Sequence, residues 1–389
     1  MVPEPGRQAL KHLFFALLIF GSLAHAGQDQ DPVRVTELKR DGAVEVSAEN
    51  RDPNALRWVW LELEGARNIR ADQPLPAGFS LEPLEKRRLF SLRPPDPAQG
   101  YSYGLRSRSG EGDPNREPDT TAVYLLPYAH GTKHSVSQGY FGSVTHQGLH
   151  ALDFEMPEGT PVHAARDGIV IGVKEDATRG GASAAFAKDG NFVEVQHTDG
   201  TWAVYAHLKH RGAAVQAGQR VKAGDLLGYS GATGMASGPH LHFVVYRAGW
   251  DGPRSVPTVF QASLSGSASL EEGHTYYAYH PGGQAFTPVL GEAMLDADYR
   301  AITRPASGGK LSFRQERVDR RTLVWAVNGT AKAVDLKVGF SESQNVKASV
   351  DLPYKAQVPA HTEIYLFSVD FIGTGRSGFA LSARWRPLP

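Results

Sequence analysis

The chain has 389 residues, enough for two or three domains, and an ordinary globular composition of 41% hydrophobic and 21% charged residues. Its 41 basic residues balance its 41 acidic ones, so no net field steers it toward nucleic acid or an anionic membrane. Cysteine is absent, which excludes disulfides, a thiol nucleophile, a cysteine-built zinc site and a lipidated N-terminal cysteine; any metal site must use His, Asp and Glu.

At the N-terminus Arg7 and Lys11 precede the apolar run Leu13 to Leu23, and Ala24-His25-Ala26 follows. Charged, then apolar, then A-x-A is the layout of a cleavable secretory signal, and the run is short for a transmembrane helix. Cleavage after Ala26 is the expectation. It would leave an exported protein, periplasmic or secreted, with no stable membrane anchor. Residues 27–126 then read as short alternating segments, Ala43 to Ala48, Leu56 to Leu63, Arg88 to Leu92 and Tyr101 to Ser107. Turn clusters such as Asp52-Pro53-Asn54 separate them, which predicts a small β-sandwich-like domain.

Residues 127–262 are rich in Gly and His. Strands are expected over Val162 to Ala165, Gly168 to Lys174, Asn191 to His197, Trp202 to His207, Leu226 to Tyr229 and Leu241 to Arg247. Arg179 to Asp189 is expected to be a mobile loop. Side chains two apart on a strand share a face, so His240 and His242 should project together, and so should Tyr205 and His207. Imidazoles converging from two strands are raw material for a zinc site, and HQGLHALDF at 146–154 offers a carboxylate, Asp153. A connecting segment, 263–301, carries the aromatic stretch GHTYYAYHPGG, and 302–389 again reads as a β-sandwich. This last region echoes the first: Asn68-Ile69-Arg70-Ala71, Leu75-Pro76 and Leu89-Phe90-Ser91 recur as Asn345-Val346-Lys347-Ala348, Leu352-Pro353 and Leu366-Phe367-Ser368, each 277 positions on (68 to 345, 75 to 352, 89 to 366). Two diverged copies of one sandwich are therefore expected to flank the centre.

Five segments of the centre, HQGLHALDF (146–154), EGTPVHAARDGIV (158–170), YAHL (205–208), KAGDLLGYSGATG (222–234) and GPHLHF (238–243), resemble the lysostaphin-like (LytM-type) zinc metallopeptidases in order and spacing. The resemblance covers about a third of the chain. It implies an all-β protein whose central antiparallel sheet is catalytic, a zinc ion as cofactor, and peptide crosslinks of bacterial peptidoglycan as substrate. Carried over, His146, Asp153 and His242 would be metal ligands, and His207 and His240 the catalytic pair.

The first motif departs from the H-x-G-x-D pattern of many members. Asp153 lies seven residues after His146 and three after His150; both spacings are odd, so neither pair can share a face of one unbroken strand. A bend is required, and Gly148 tolerates one. The context resembles a branch of the family reading SHxG…YA[VL]DF, which favours His146 as ligand and leaves His150 a neighbour. Two other readings stand beside the enzyme: an inactive regulator of cell-wall amidases, and a wall-binding protein. Oligomeric state is not legible.

Overall fold

The computed structural model describes residues 31–263, 266–284, 286, 296–300, 302–318, 321–372 and 375–389; the expected signal segment, 1–26, lies outside them. Among these residues the regular structure is antiparallel strand apart from the 3-10 turn Ala184–Asp189 and the short helix Asp296–Arg300, so the fold is all-β. No helix among them is long and apolar enough to cross a membrane. The chain divides into two compact units, one of residues up to Ala129 with Val136–Val259, the other of His130–Ser135 with Phe260–Pro389.

In the first unit, residues 33–111 form two sheets. One runs Val33–Arg40, Ala43–Asn50, Lys86–Arg93, Arg70–Ala71; the other runs Ala77–Leu81, Arg57–Arg67, Ser102–Glu111. Alternation sends Val44, Val46 and Ala48 from one sheet and Val59 and Leu61 from the other into a common core with Leu81, Phe90 and Leu92. Each of the Val, Leu and Phe side chains, fully buried, contributes about 1.5–3 kcal/mol. The second unit repeats this plan. Leu311–Val318, Arg321–Asn328, Thr362–Phe371 and Val346–Ala348 make one sheet, with Thr303–Pro305 added beside Thr362–Phe371, and Tyr354–Val358, Val334–Gln344 and Gly378–Pro387 make the other. Details coincide as well. The Asn50 carboxamide donates to the carbonyls of Ala55, Leu81 and Glu82, and that of Asn328 to those of Lys332, Val358 and Pro359. Asn68 and Asn345 are both left-handed, as are Leu84 and His361.

The rest of the first unit is built on a sheet in the order Arg220–Val221, Gly168–Lys174, Phe192–Gln196, Trp202–Ala206, His240–Arg247, Ala151–Glu155 and, from Val136 on, the strand Lys133–Gln138. A smaller sheet, Pro161–His163, Leu226–Ser230, Leu208–Ala213, accompanies it. The main sheet is apolar on both faces, as a doubly covered sheet must be. Val193, Val195, Ala203, Tyr205, Leu152, Phe154, Phe243 and Val245 are buried on one face. On the other, Ala151, Trp202, Val204, Ala206, Val244 and Tyr246 share a core with Ala55, Trp58, Trp60 and Trp250.

The N-terminal sandwich is therefore packed onto the central sheet rather than tethered beside it. Its Trp58 and Trp60 lie 5.7 Å, centroid to centroid, from the Trp250 ring. The Leu56 amide donates to Gln196 Oε1 across the junction at 3.2 Å. The same face of the sheet carries Asp153, His240 and His242, which places the packed sandwich and the polar cluster side by side on one surface.

Candidate metal centre

Asp153 is the middle residue of Ala151–Glu155 and pairs in register with His242, while His240 pairs with Glu155. Two residues apart on an unbroken strand, His240 and His242 project from one face, as their spacing requires. His146 comes from the loop between Lys133–Gln138 and Ala151–Glu155. There the Leu149 amide donates back to the His146 carbonyl, and Gly148 takes φ +76°, a turn that reconciles the odd spacing with Asp153. His207 is the first residue beyond Trp202–Ala206 and sits at φ +64°, a left-handed backbone that costs a side-chain-bearing residue on the order of 1 kcal/mol. That reversal swings its ring off the Tyr205 face, to 4.6 Å from the His240 ring and 5.8 Å from that of His242.

Tyr205 consequently does not line the groove with His207. It is fully buried on the opposite face, and its hydroxyl accepts the Ala165 amide at 2.8 Å. Period-two alternation placed the two residues together; the strand ends one residue too early for it to apply. His150 lies apart from the cluster, its ring against Tyr140 and Phe141 and its Nδ1 3.3 Å from the Ser255 carbonyl. His163 and His197 bond the carbonyls of Gly224 and Asp167 and take no part. The 179–189 loop is pinned by a Gly180–Gly234 bridge and an Arg179–Asp189 ion pair, and its Ala182 lines the cleft.

The ligand-capable atoms converge. His146 Nε2 is 3.2 Å and His242 Nδ1 2.9 Å from Asp153 Oδ1, and the two nitrogens are 3.3 Å apart. Among the described residues these three side chains are the group that could hold a metal ion, with ligand atoms all within 4.8 Å of one another. His146 Nδ1 donates to the Gly139 carbonyl at 2.9 Å, His207 Nδ1 to Thr233 at 2.7 Å and His240 Nδ1 to Gly238 at 2.9 Å. A carbonyl only accepts, so each Nδ1 carries a hydrogen, and Nε2 of the neutral ring is left as a lone pair. A lone pair of His146 aimed at a carboxylate oxygen and at a second imidazole nitrogen calls for a shared cation, either a proton or a metal. The donor set therefore fits a metal with nitrogen and oxygen preference.

The electrostatics agree. Burial would raise Asp153, but hydrogen bonds from His146 and His242 hold it well below the usual carboxylate range, so it is ionised. Burial would lower His146, but the hydrogen bond and charge of Asp153 outweigh it and leave it raised, which marks a site that attracts a cation. His207 is pushed down to about 3, first by burial and then by His240 and His242, and is a neutral base at physiological pH.

One participant carried no signal in the sequence. Gln138 donates from Nε2 to Asp153 Oδ2 at 2.9 Å and to Thr145 Oγ1 at 2.8 Å, while its Oε1 accepts the amides of Val144 and Thr145. It fixes both the carboxylate and the start of the His146 loop. Nothing in the spacing of SQGYFG around it distinguishes it from any polar strand residue. Thr145, Leu149, Met235, Ser237 and Tyr246 complete a narrow cleft of about 120 Å³ over the cluster.

Residues 145–252 match the profile of peptidase family M23. An uncharacterized metalloprotease of Buchnera aphidicola is 37% identical over 101 residues, 26% of this chain and 23% of that protein. The DD-carboxypeptidase/endopeptidase Mpg of Neisseria meningitidis is 36% identical over 109 residues, 26% and 22% of the two chains. The peptidoglycan DD-endopeptidase ShyC of Vibrio cholerae is 36% identical over 117 residues, 30% and 24%. The match spans about a quarter of the length of each of these relatives. With its converging His and Asp ligand atoms, the chain carries a metallopeptidase domain of peptidase family M23 at residues 145–252.

Proposed function

We propose that this protein is a zinc endopeptidase that hydrolyses peptide crosslinks of bacterial peptidoglycan, with His146, Asp153 and His242 holding the metal and His207 and His240 as the catalytic pair. The observation that carries the reading is the convergence of His146 Nε2, Asp153 Oδ1 and His242 Nδ1 beside two further imidazoles in one cleft. The similarity to ShyC, a peptidoglycan DD-endopeptidase, supports the substrate class. Zinc, when bound, supplies Lewis acidity and brings the pKa of water to roughly 7. The chain does the rest. His207 and His240 each keep Nδ1–H on a backbone carbonyl and so hold the basic Nε2 tautomer. One of them takes the proton of the attacking water at Nε2; the other stabilises the oxyanion formed on the scissile carbonyl, for which its ring must carry a proton on Nε2 as well as on Nδ1. Gln138 and Asp153 keep the cluster oriented while the left-handed turn at His207 brings the base over it. No ligand-type residue of the site is missing, and the regulator reading has no observation in its favour.

Incubation of zinc-loaded protein with purified peptidoglycan, followed by mass spectrometry of the fragments, tests the proposal. Wild type should convert crosslinked peptides to free ones. His207→Ala and His240→Ala should each lower the rate by about 10²–10⁴ while keeping their zinc. Intact crosslinks after wild-type treatment, or an undiminished His207→Ala rate, would sink it.

The same proposal includes export through a signal at 1–26, a domain plan of 27–126, 127–262, 263–301 and 302–389, and descent of the two sandwiches from one duplicated module. The shared strand order, the Asn50 and Asn328 bonds and the left-handed Asn68 and Asn345 support the duplication.

A further inference from the structure

The two sandwiches can be compared register by register on the outer face of their three-stranded sheets. In the N-terminal one, Trp58 lies abreast of Ser80 and Gly110, and Trp60 abreast of Gly78 and Arg108. This is the face that packs on the central sheet, and the Trp250 ring lies where a Cβ on Gly78 would be, at 2.4 Å. In the C-terminal sandwich the corresponding positions are Asp335 abreast of Gln357 and Arg386, and Lys337 abreast of Lys355 and Arg384. The platform of aromatics and glycines has become a charged surface.

Its charges are arranged against their own stability. Lys355, Lys337 and Arg384 stand directly opposite one another across three strands about 4.8 Å apart, where like charges destabilise a sheet. All three are exposed, and among the described residues none of their side chains forms an ion pair or a hydrogen bond. The Asp335 carboxylate, which lines the same depression, is engaged by Arg386 at 3.0 Å and by Gln357 at 3.1 Å. Two depressions, of about 590 and 640 Å³, meet at Lys337 and Arg384 and extend along the strands from Asp335 to Gly339. The three cations stand in a row across the strands, roughly 10 Å from Lys355 to Arg384 at about 4.8 Å per strand, which is longer than a single small anion.

We propose that this row binds a linear polyanion laid across the strands, a polymer carrying phosphate or carboxylate groups at intervals, with Lys337, Lys355 and Arg384 as its central contacts. The charge complementarity is specific to this copy of the sandwich. The same face of the other copy is already occupied by the central sheet.

Equilibrium binding of the full chain to polyphosphate and, separately, to polygalacturonate, over a series of salt concentrations, tests this and tells the phosphate from the carboxylate source. The variant K337E/K355E/R384E should bind at least about tenfold more weakly than wild type, with a shallower salt dependence. The exposed triple R70E/K86E/R93E, which changes net charge equally, should bind within about twofold of wild type. The milder K337Q/K355Q pair should fall between, which covers misfolding of the triple variant; circular dichroism checks all of them. Equal losses in both triples would reduce the effect to net charge and overturn the proposal. So would failure of wild type to bind either polymer at low salt, or binding only to phosphatidylglycerol vesicles.

Discussion

Gln138 anchors the free oxygen of Asp153 while its own carbonyl oxygen holds two loop amides, so the carboxylate that faces the histidines is set by a residue that touches no ligand atom directed at the metal. Gln138→Leu should leave the fold intact and weaken zinc binding by about 10–100-fold, measured by competition with a chromophoric chelator. An unchanged affinity would show that the strand alone positions Asp153. Tyr205 offers the complementary case. Tyr205→Phe removes the acceptor of the buried Ala165 amide and should lower unfolding free energy by about 1–3 kcal/mol in urea titration. Turnover measured well below the unfolding midpoint should not change; a drop in kcat would return Tyr205 to the cleft. At this scale alternation along one strand was enough to find His240 and His242. The same alternation put His207 on the Tyr205 face, and only the YAHL motif pointed to a role beside His240, because a left-handed residue after a strand leaves no periodic trace. Gln138 lay hidden in an unremarkable polar strand.

The strands lining the site were largely readable as elements, because Gly168–Lys174, Phe192–Gln196, Trp202–Ala206 and His240–Arg247 are apolar runs bounded by turns. Lys133–Gln138 and Leu208–Ala213 were not, since KHSVSQ and LKHRGA lack an apolar alternation and their strand state is imposed by neighbours. The end of Phe192–Gln196 carries a titratable group outside the site. His197 is buried, bonds the Asp167 carbonyl through Nδ1, has no partner for Nε2, and is pushed by burial to about 4. Its unfolded value is about 6.5, so the unfolded chain binds the extra proton first. Its contribution is therefore present above about pH 6.5 and lost as pH falls toward 4, at most about 3 kcal/mol. His197→Asn keeps a donor for the carbonyl but cannot ionise. Denaturation midpoints at pH 7 and pH 4.5 should differ less in the variant than in wild type, and an equal difference would place the acid sensitivity elsewhere.

At the scale of the molecule, the short strands and turns of 33–111 announced a sandwich, but not that its Trp58 and Trp60 would be shared with the central sheet. Aromatic side chains on a strand's outer face look the same whether they meet a sugar, a partner or another domain. Gly78→Val places side-chain atoms where Trp250 lies and should cost about 1–3 kcal/mol of stability by overpacking. Chemical denaturation that shows no loss would mean that the contact yields freely. The metal centre draws its ligands from a loop and two strands of this same unit, so the whole account stands on whether those three residues bind one ion. The most direct test is zinc per chain in purified protein, by atomic emission, for wild type and for His146→Ala, Asp153→Ala, His242→Ala and His150→Ala. The account predicts about one zinc in wild type and His150→Ala and far less in the other three. Zinc retained in His146→Ala, or lost in His150→Ala, would contradict it.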